Sequence, residues 1–547
     1  MSAANSGPDD LVPDVIGVLG AGTMGAGIAQ LAARAGAETL LYDPIEDALE
    51  AGLRKAREGH EREAARGRLS AEEAAGASER LHPVSELGRL GACELVIEAV
   101  PERLELKHEL LEALSSIVAE DCVLATNTSS MLVTEIARAA SVPERVVGMH
   151  FFNPAPVMRL LEVVAGERSA EQPLLIAEAT GRAMGKTVIR AADGPGFLVN
   201  RCNRPFGLEA LRLLQEQIGE IETIDRICRM GGGFRMGPFE LMDLVGVDTG
   251  FEVSKSFYAQ SFGEPRWKPS PITTRYVAAG LHGRKTGRGY YDYSATPTGG
   301  SYRSEDPGPT EATMAAGEGV VVISGSNTLA TELRDAATAA GYEVRSPHAP
   351  SGGVLPSLAI DCDSSPAEGS AELEPGSGGA QLVLCAGTSL ARVNPGGSAV
   401  GFHALPPFAD AGLVELTRSE SSSPVAAARA ERFFNTLGKH VAWVGDAPGL
   451  VLGRIVCQVI NEAAFALGEG VGSAEDIDLG MELGVSHPRG PFAWADLIGL
   501  EHVLSVLQAL CDEYREERYR PAPALRRLVA AGKLGRGGTG GFLPRRR

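Results

Sequence analysis

The residues of this chain best suited to chemistry centre on a histidine and a glutamate. Glu162 sits between Leu160-Leu161 and Val163-Val164. A carboxylate inside an apolar run needs a partner, and His150 can be that partner. Histidine titrates near working pH, so it can take a hydroxyl proton while hydride leaves carbon in the oxidation of a secondary alcohol. A buried carboxylate on the other ring nitrogen would fix the tautomer and stabilise the imidazolium that forms. The same two residues could equally form a purely structural contact. Thr126-Asn127-Thr128-Ser129-Ser130 and His150-Phe151-Phe152-Asn153-Pro154 each follow a short apolar strand pattern. Ligands of open parallel sheets collect off the C-terminal strand ends, so Ser129, His150 and Asn153 are expected to line one crevice.

A hydride needs an acceptor, and the N-terminal region supplies a place for one. Val15-Ile16-Gly17-Val18-Leu19 reads as a strand running into Gly20-Ala21-Gly22-Thr23-Met24-Gly25, with a helix of small residues directly after it. In Gly-x-G-x-x-Gly the first glycine permits the tight turn. The second admits a pyrophosphate close to the backbone, and the third lets helix and strand approach. The next strand, Thr39-Leu40-Leu41-Tyr42, ends in Asp43, 18 residues after Gly25. A carboxylate there grips the ribose hydroxyls and disfavours a 2′-phosphate, which points to NAD rather than NADP.

These groups must be held by a doubly wound sheet. Strand and helix patterns alternate from Val15 to about Arg190, including Leu95-Val96-Ile97 and Val123-Leu124-Ala125. Beyond Asp193-Gly194-Pro195-Gly196-Phe197 the pattern turns helical as far as Tyr293. Ser294 to Gly317 is rich in Gly, Pro, Ser and Thr and reads as a flexible linker. Ser346 to Gly379 has similar composition and reads as a long mobile loop.

The chain then repeats itself. His150 recurs as His403, Glu162 as Glu415, Asp193 as Asp446, Gly237-Pro238-Phe239 as Gly490-Pro491-Phe492 and Asp243 as Asp496, each 253 residues later. We read this as a tandem duplication. The copies are unequal. Val320 to Gly325 matches the first strand at an offset of 305, so about 52 residues are missing from the second sheet. In that register Gly22 meets Asn327, Gly25 meets Ala330 and Asp43 meets His348. The second copy thus lacks the dinucleotide grip. The expected architecture is an α/β doubly wound, Rossmann-like domain (14–192), an all-α domain (193–293), a linker (294–317), a degenerate shortened α/β domain (318–445) and a second helical domain (446–547).

Composition narrows the partners. The 547 residues carry a net charge of −19, which argues against nucleic acid and anionic membranes as partners. Met1 to Asp10 is polar and acidic, without the pattern of a signal peptide, and no apolar run reaches membrane-spanning length. The eight cysteines are scattered, with no Cys-x-x-Cys pair. They read as small buried hydrophobes of a reducing cytoplasm, not as a disulfide or zinc frame.

The glycine loop, Asn127-Thr128-Ser129-Ser130, His150-Phe151-Phe152-Asn153-Pro154, the run from Asp193 to Arg201, and Gly237-Pro238-Phe239-Glu240 together resemble the L-3-hydroxyacyl-CoA dehydrogenase family, in a long tandem form. The resemblance implies NAD-dependent oxidation of an L-3-hydroxyacyl-CoA, as in fatty-acid and phenylacetate degradation. It implies His150 as base, Glu162 as its orienting partner, and Ser129 and Asn200 on the substrate, with Ser129 also near the nicotinamide. It implies Glu102, Lys107, Asn153 and Lys285 on NAD, and Arg66 on a CoA phosphate, although the segment around Arg66 has no distinctive motif and could be a solvated basic face. In the second copy Asn200 is matched by Gly453 and Lys285 by about Gly538, so His403 and Glu415 are expected to be structural. Because single-copy members of the family dimerise through their helical domains, the two helical domains here are expected to form an internal pseudo-dimer. The apolar face around Leu450, Val451, Leu452, Ile455, Val456, Val459 and Ile460 would be buried there. Two other readings stay open: a dehydrogenase of a free hydroxy acid, and a non-catalytic cofactor-binding structural protein.

Overall fold

The structure, a computed structural model, describes residues 11–294, 301–308, 317–347, 355–364, 380–535 and 540–544. The expectations for Met1–Asp10, for His348 and for Gly538 lie outside these residues. The chain divides into two compact units, residues 1–201 with 470–485, and residues 202–469 with 486–547.

The first unit is built on eight strands: β1 Val15–Leu19, β2 Glu38–Tyr42, β3 Leu81–Val84, β4 Leu95–Glu98, β5 Val123–Thr126, β6 Val146–Phe151, β7 Leu160–Ala165 and β8 Thr187–Ala192. Their order across the sheet is β3-β2-β1-β4-β5-β6-β7-β8. Strand order reverses between β1 and β4, so the crevice for a ligand lies off their C-terminal ends. All pairs are parallel except β6 and β7, which run antiparallel with His150 directly opposite Glu162. Ile16, Val18, Ile97, Val123, Val147 and Val163 are sealed in the core between sheet and helices.

One segment of this unit comes from far along the chain. The helix Ala474–Gly484 packs on β7 and β8. A Cβ on Gly480 would come within 2.9 Å of Val199, so only a glycine allows the approach. The amide of Ala192 donates to the carbonyl of Val471 at 2.8 Å.

The second unit holds a seven-stranded sheet: β9 Val320–Ser324, β10 Glu343–Arg345, β11 Leu358–Asp361, β12 Ala380–Leu384, β13 Val400–His403, β14 Leu413–Arg418 and β15 His440–Val444. The order is β10-β9-β11-β12-β13-β14-β15. Among the described residues its order follows that of the first sheet without a counterpart of the outermost strand, β3, or of the helices Glu46–Ala65 and Ala71–Glu79 that accompany that edge. Gly20 and Gly325 share the same turn, with φ of 91° and 102°. One sequence expectation needs correction. Ser346 to Gly379 is not a loop throughout, because β11 lies inside it and occupies the middle of the sheet between β9 and β12. Its apolar core, Leu358-Ala359-Ile360, is too short to stand out from a Pro- and Ser-rich background.

Helices recur in the same order. Arg204–Gln215, Pro238–Val245, Val247–Gln260 and Pro271–Ala278 are matched by Leu452–Gly468, Pro491–Ile498, Leu500–Tyr514 and Pro523–Ala530. Asp243 accepts from the amides of Tyr290 and Tyr291, and Asp496 accepts from those of Phe542 and Leu543. The apolar stripe of Leu452–Gly468 is fully buried against Arg204–Gln215 and its neighbours. Within it Arg454, 0% exposed, meets Glu209 and Glu216 and donates to the hydroxyl oxygens of Tyr514 and Tyr519. The expected flexible linker is also partly corrected. Residues 301–308 are clamped, with Asp306 accepting two 2.7 Å bonds from Arg229 and Tyr302 donating to Glu240 at 2.8 Å. A charged partner at each end of a Gly/Pro/Ser-rich stretch is enough to hold it, and composition does not reveal that. Among the described residues no single helix is long and apolar enough to cross a membrane.

Candidate active site

The glycine loop is shaped for a pyrophosphate. A Cβ on Gly25 would fall 1.7 Å from the carbonyl oxygen of Gly20, so the helix Thr23–Arg34 can begin there only on a glycine. Gly22 is the N-cap of that helix and brings no side chain to its free amides. Space is open around Gly22 within 4 Å of a Cβ. Uncapped amides and the positive end of the helix dipole favour an anion. Thr23 and Met24 open the same turn. Asp43 lies at the end of β2, where its carboxylate accepts from the amides of Ala21 at 2.8 Å and Ile45 at 3.0 Å. The acid is thereby fixed beside the loop. These features fit a dinucleotide without a 2′-phosphate.

The second unit closes the corresponding place on its own sheet. Asn327, at the position of Gly22, caps its own helix by accepting from the amide of Ala330 at 2.8 Å. Its amide group donates to the carbonyl of Cys362 and to Ser364. The helix terminus that would receive a phosphate is already satisfied.

His150 and Glu162 meet as expected. Nδ1 of His150 lies 2.6 Å from Oε2 of Glu162. The other carboxylate oxygen accepts from the amides of Leu198 at 3.2 Å and Val199 at 2.9 Å. Those amides are presented by a turn in which Gly196 and Phe197 have φ of 69° and 52°, a region that a phenylalanine rarely adopts. Glu162 is 0% and His150 5% exposed. The imidazole is walled by Phe152 and Phe197, with ring centroids 4.6 and 5.7 Å away. Three donors hold the carboxylate in place, so the ring sits with Nδ1 engaged and Nε2 as the nitrogen that can take up a proton.

The second unit has only half of this arrangement. Glu415 accepts from the amides of Val451 and Leu452 as Glu162 does from its own pair. His403 does not reach it. Its Nδ1 is buried without a partner, and its Nε2 faces Nε2 of His502 at 3.3 Å. The ring lies over Gly453, where a Cβ would come within 2.2 Å of Cε1. Burial pushes the Glu415 carboxyl up to about 8 and His403 well below its ordinary value.

The loop after β5 is organised by Glu102. One of its oxygens accepts from Thr128, from the amides of Ser129 at 2.9 Å and Ser130 at 3.2 Å, and from the Ser130 hydroxyl. Burial would raise this carboxyl, but Lys107 and these donors outweigh it and hold it below the usual range. Ser129 is left exposed at the strand end. Lys107 does not sit as a direct cofactor ligand would. It is 1% exposed and held by both oxygens of Glu98 at 2.8 Å and by Glu102 at 3.1 Å. Glu98, at the end of β4, also accepts from Thr126. This buried network was missed in the sequence because Glu98 reads as part of an apolar strand. Asn127, which the sequence singled out only as part of its motif, holds the end of β6 by accepting from the amide of Phe151 at 2.8 Å.

Other expected residues fall in several places. Asn153 is exposed just after β6, in a loop whose Ala155 and Met158 carbonyls are bound by buried Lys186. A cavity of about 280 Å³ is lined by Thr23, Lys55, Arg62, Arg66 and Asn153, among others. Arg66 is therefore placed with two other cations beside the glycine-loop helix. Asn200 is half-buried, directly after the two amides that hold Glu162. Lys285 lies in the second unit, where it pairs with Asp248 at 2.6 Å.

Comparison with known proteins agrees with this geometry. Residues 15–194 match the family model for the 3-hydroxyacyl-CoA dehydrogenase NAD binding domain. Residues 196–293 and again 449–544 match that for the 3-hydroxyacyl-CoA dehydrogenase C-terminal domain. The chain is 36% identical over 515 residues to a 3-hydroxyadipyl-CoA dehydrogenase of Escherichia coli, covering 93% of this chain and 96% of that one. It is 38% identical over 276 residues to a probable 3-hydroxybutyryl-CoA dehydrogenase of Bacillus subtilis, covering 50% of this chain and 96% of the relative. Among solved structures, a 3-hydroxybutyryl-CoA dehydrogenase from Escherichia coli superposes with a TM-score of 0.77 at 34% identity, covering 95% of this chain and 98% of that one. With both family domains matched over most of its length and the His–Glu pair assembled on the sheet, the chain belongs to the 3-hydroxyacyl-CoA dehydrogenase family.

Proposed function

We propose that this protein oxidises an L-3-hydroxyacyl-CoA to the 3-oxoacyl-CoA, with NAD as hydride acceptor and His150 as the base. The observation that carries this reading is the 2.6 Å bond from Nδ1 of His150 to a carboxylate that two backbone amides hold in place. The glycine loop and Asp43 are the residues that would hold NAD, which when bound would supply the hydride acceptor. Nε2 of His150 takes the hydroxyl proton of C3, and Glu162 stabilises the imidazolium that results. Ser129 and Asn200 hydrogen-bond the substrate oxygen and orient C3. Glu102 holds the Ser129 loop, and Lys107 holds Glu102, which makes Lys107 a positioning residue. Asn153 and Lys285 are assigned to the cofactor. Lys55, Arg62 and Arg66 suit the phosphates of CoA, and this basic cavity favours a CoA thioester over a free hydroxy acid. The cysteines, none of them disulfide-bonded among the described residues, suit a reducing compartment such as the cytoplasm.

The second copy serves structure. Its capped helix and separated His403 and Glu415 support descent by duplication with loss of the site, over the domain boundaries 14–192, 193–293, 318–445 and 446–547. Burial of Leu452–Gly468 against Arg204–Gln215 supports an internal pseudo-dimer of helical domains. Linkage in one chain gives the two surfaces a high effective concentration.

Reduction of acetoacetyl-CoA by NADH, followed as loss of NADH absorbance, tests the activity. Turnover that survives His150→Ala unchanged would overturn the mechanism. A chain ending at Tyr293 should dimerise or aggregate in size-exclusion chromatography with light scattering. A stable monomer would remove the pseudo-dimer.

A further inference from the structure

A buried lysine of the first unit takes no part in the chemistry described so far. Lys186 follows the helix Glu171–Ala183 and directly precedes β8. It is 8% exposed, and its ammonium donates to the carbonyls of Ala155 and of Met158, the latter at 2.7 Å. Burial first, and the charge of Arg34 second, lower its pKa to about 8, with no acid to offset them. A desolvated ammonium costs stability unless its donors are met. An apolar side chain of similar length would fill the same space without that cost. A lysine here is explained by what its ammonium binds.

It binds the loop 153–158, between β6 and β7. Asn153 carries the loop's only polar side chain. The amides of Val157 and Met158 bond within the loop, both to the carbonyl of Pro154, so the bonds from Lys186 tie the loop to the rest of the unit. On another side the loop lies on the glycine-loop helix, where a Cβ on Gly27 would come within 2.9 Å of Pro156. Arg34, the last residue of that helix, donates to the carbonyl of Met184 at 2.9 Å, in the turn that presents Lys186. Gly185 reverses the chain there with φ of 78°. One turn thus joins the end of the glycine-loop helix to the loop that carries Asn153.

The second unit has the same clamp without the amide. Lys439, 253 residues after Lys186, is 9% exposed and donates to the carbonyl of Ala409 at 3.1 Å. Burial lowers its pKa too, although Asp410 is near. The residue 253 positions after Asn153 is Pro406, which has no side-chain group to offer a cofactor. The clamp recurs in both sheets, and what its loop carries differs.

We propose that Lys186 is a positioning residue for the dehydrogenase reaction: by holding the carbonyls of Ala155 and Met158 it fixes the loop against the glycine-loop helix and so sets where Asn153 meets the cofactor. This rests on the assignment of Asn153 to NAD given above.

Fluorescence titration of the full-length protein with NADH, alongside kinetics, tests it. Lys186→Met should raise the Kd for NADH by about tenfold. KM for NADH should rise with it, while kcat at saturating NADH changes far less, because His150 and Glu162 are held by bonds of their own. Asn153→Ala should weaken NADH to a similar degree, and adding Lys186→Met to it should cost little more, since both changes act through one side chain. Lys439→Met should leave NADH affinity unchanged, which separates positioning from a general loss of stability. If Lys186→Met does not fold, Gly27→Ala reads the same relationship, because its methyl displaces Pro156 with the lysine intact. It too should raise the Kd, and only while Asn153 is present. Normal NADH affinity in folded Lys186→Met, or in Gly27→Ala should the first variant not fold, overturns the proposal. So do fully additive losses in the double variant, or an equal loss in Lys439→Met. Weakened NADH in Asn153→Ala with normal affinity in Lys186→Met removes only this inference. Normal affinity in Asn153→Ala removes the assignment of Asn153 and this inference with it, and failure of the unmodified protein to bind NADH removes the dehydrogenase reading itself.

Discussion

Glu162 reaches Nδ1 of His150 at 2.6 Å from the adjacent antiparallel strand, at the one pair of sheet positions where the two side chains stand directly opposite. Replacing His150 with alanine should lower turnover by about two to four orders of magnitude, the usual contribution of a positioned acid–base group. NADH affinity, read by fluorescence titration, should change little. Glu162→Gln cannot accept from the imidazole and both backbone amides at once, so its kcat should fall as well. Wild-type rates in either variant would remove that residue from the mechanism.

Asp43 should set cofactor choice. It is pinned by the amides of Ala21 and Ile45, and a 2′-phosphate would meet its charge. NADH should be strongly preferred to NADPH, and Asp43→Ala should narrow the ratio of kcat/KM values by about tenfold or more. Equal use of both cofactors by the unmodified enzyme would contradict this assignment.

His403 should be dispensable for chemistry. It is turned from Glu415 to His502, and Asn327 caps the neighbouring helix. His403→Ala should keep near-normal turnover, and calorimetric titration with NADH should give one site per chain. A stoichiometry of two would show that the second unit binds cofactor.

Arg454 should matter for stability. Its removal would leave Glu209, 2% exposed, with only the Tyr519 hydroxyl at 3.0 Å and Arg518 at 3.9 Å. Arg454→Met should destabilise the protein by about 3–5 kcal/mol, seen as a lowered urea midpoint. Adding Glu209→Gln should restore part of the loss. If the second change makes matters worse, the pair is not the source of the effect.

Acid should weaken the second unit. Burial lowers His502 to about 4 and His487 to about 3, from an ordinary 6.5. Above pH 6.5 both rings are neutral whether the chain is folded or not. Below it the unfolded chain binds protons that the folded one refuses. Stability should therefore be intact above pH 6.5 and fall as the pH drops towards 4, by about 1.4 kcal/mol per pH unit for each histidine. Melting temperatures between pH 7 and 4.5 check this, and His502→Gln should flatten the slope. A melting temperature that does not fall with acid would rule the effect out.

The sequence alone determined whatever depends on near neighbours in the chain. The glycine loop, the strand ending in Asp43 and the helices that recur with Asp243 and Asp496 are legible because turn chemistry and hydrophobic period are local properties. The pairing of His150 with Glu162 was also within reach, since a carboxylate cannot stay unpartnered in an apolar strand. Tertiary structure alone decided where remote segments meet. Lys107 is held inward because Glu98 ends the neighbouring strand, and β11 forms because β9 and β12 flank three apolar residues too few to signal a strand. The helix Ala474–Gly484 joins the first unit because Gly480 lets it approach Val199. His403 parts from Glu415 because Gly453 leaves space for the ring. Each outcome depends on side chains brought together by folding, whose distances no local pattern encodes.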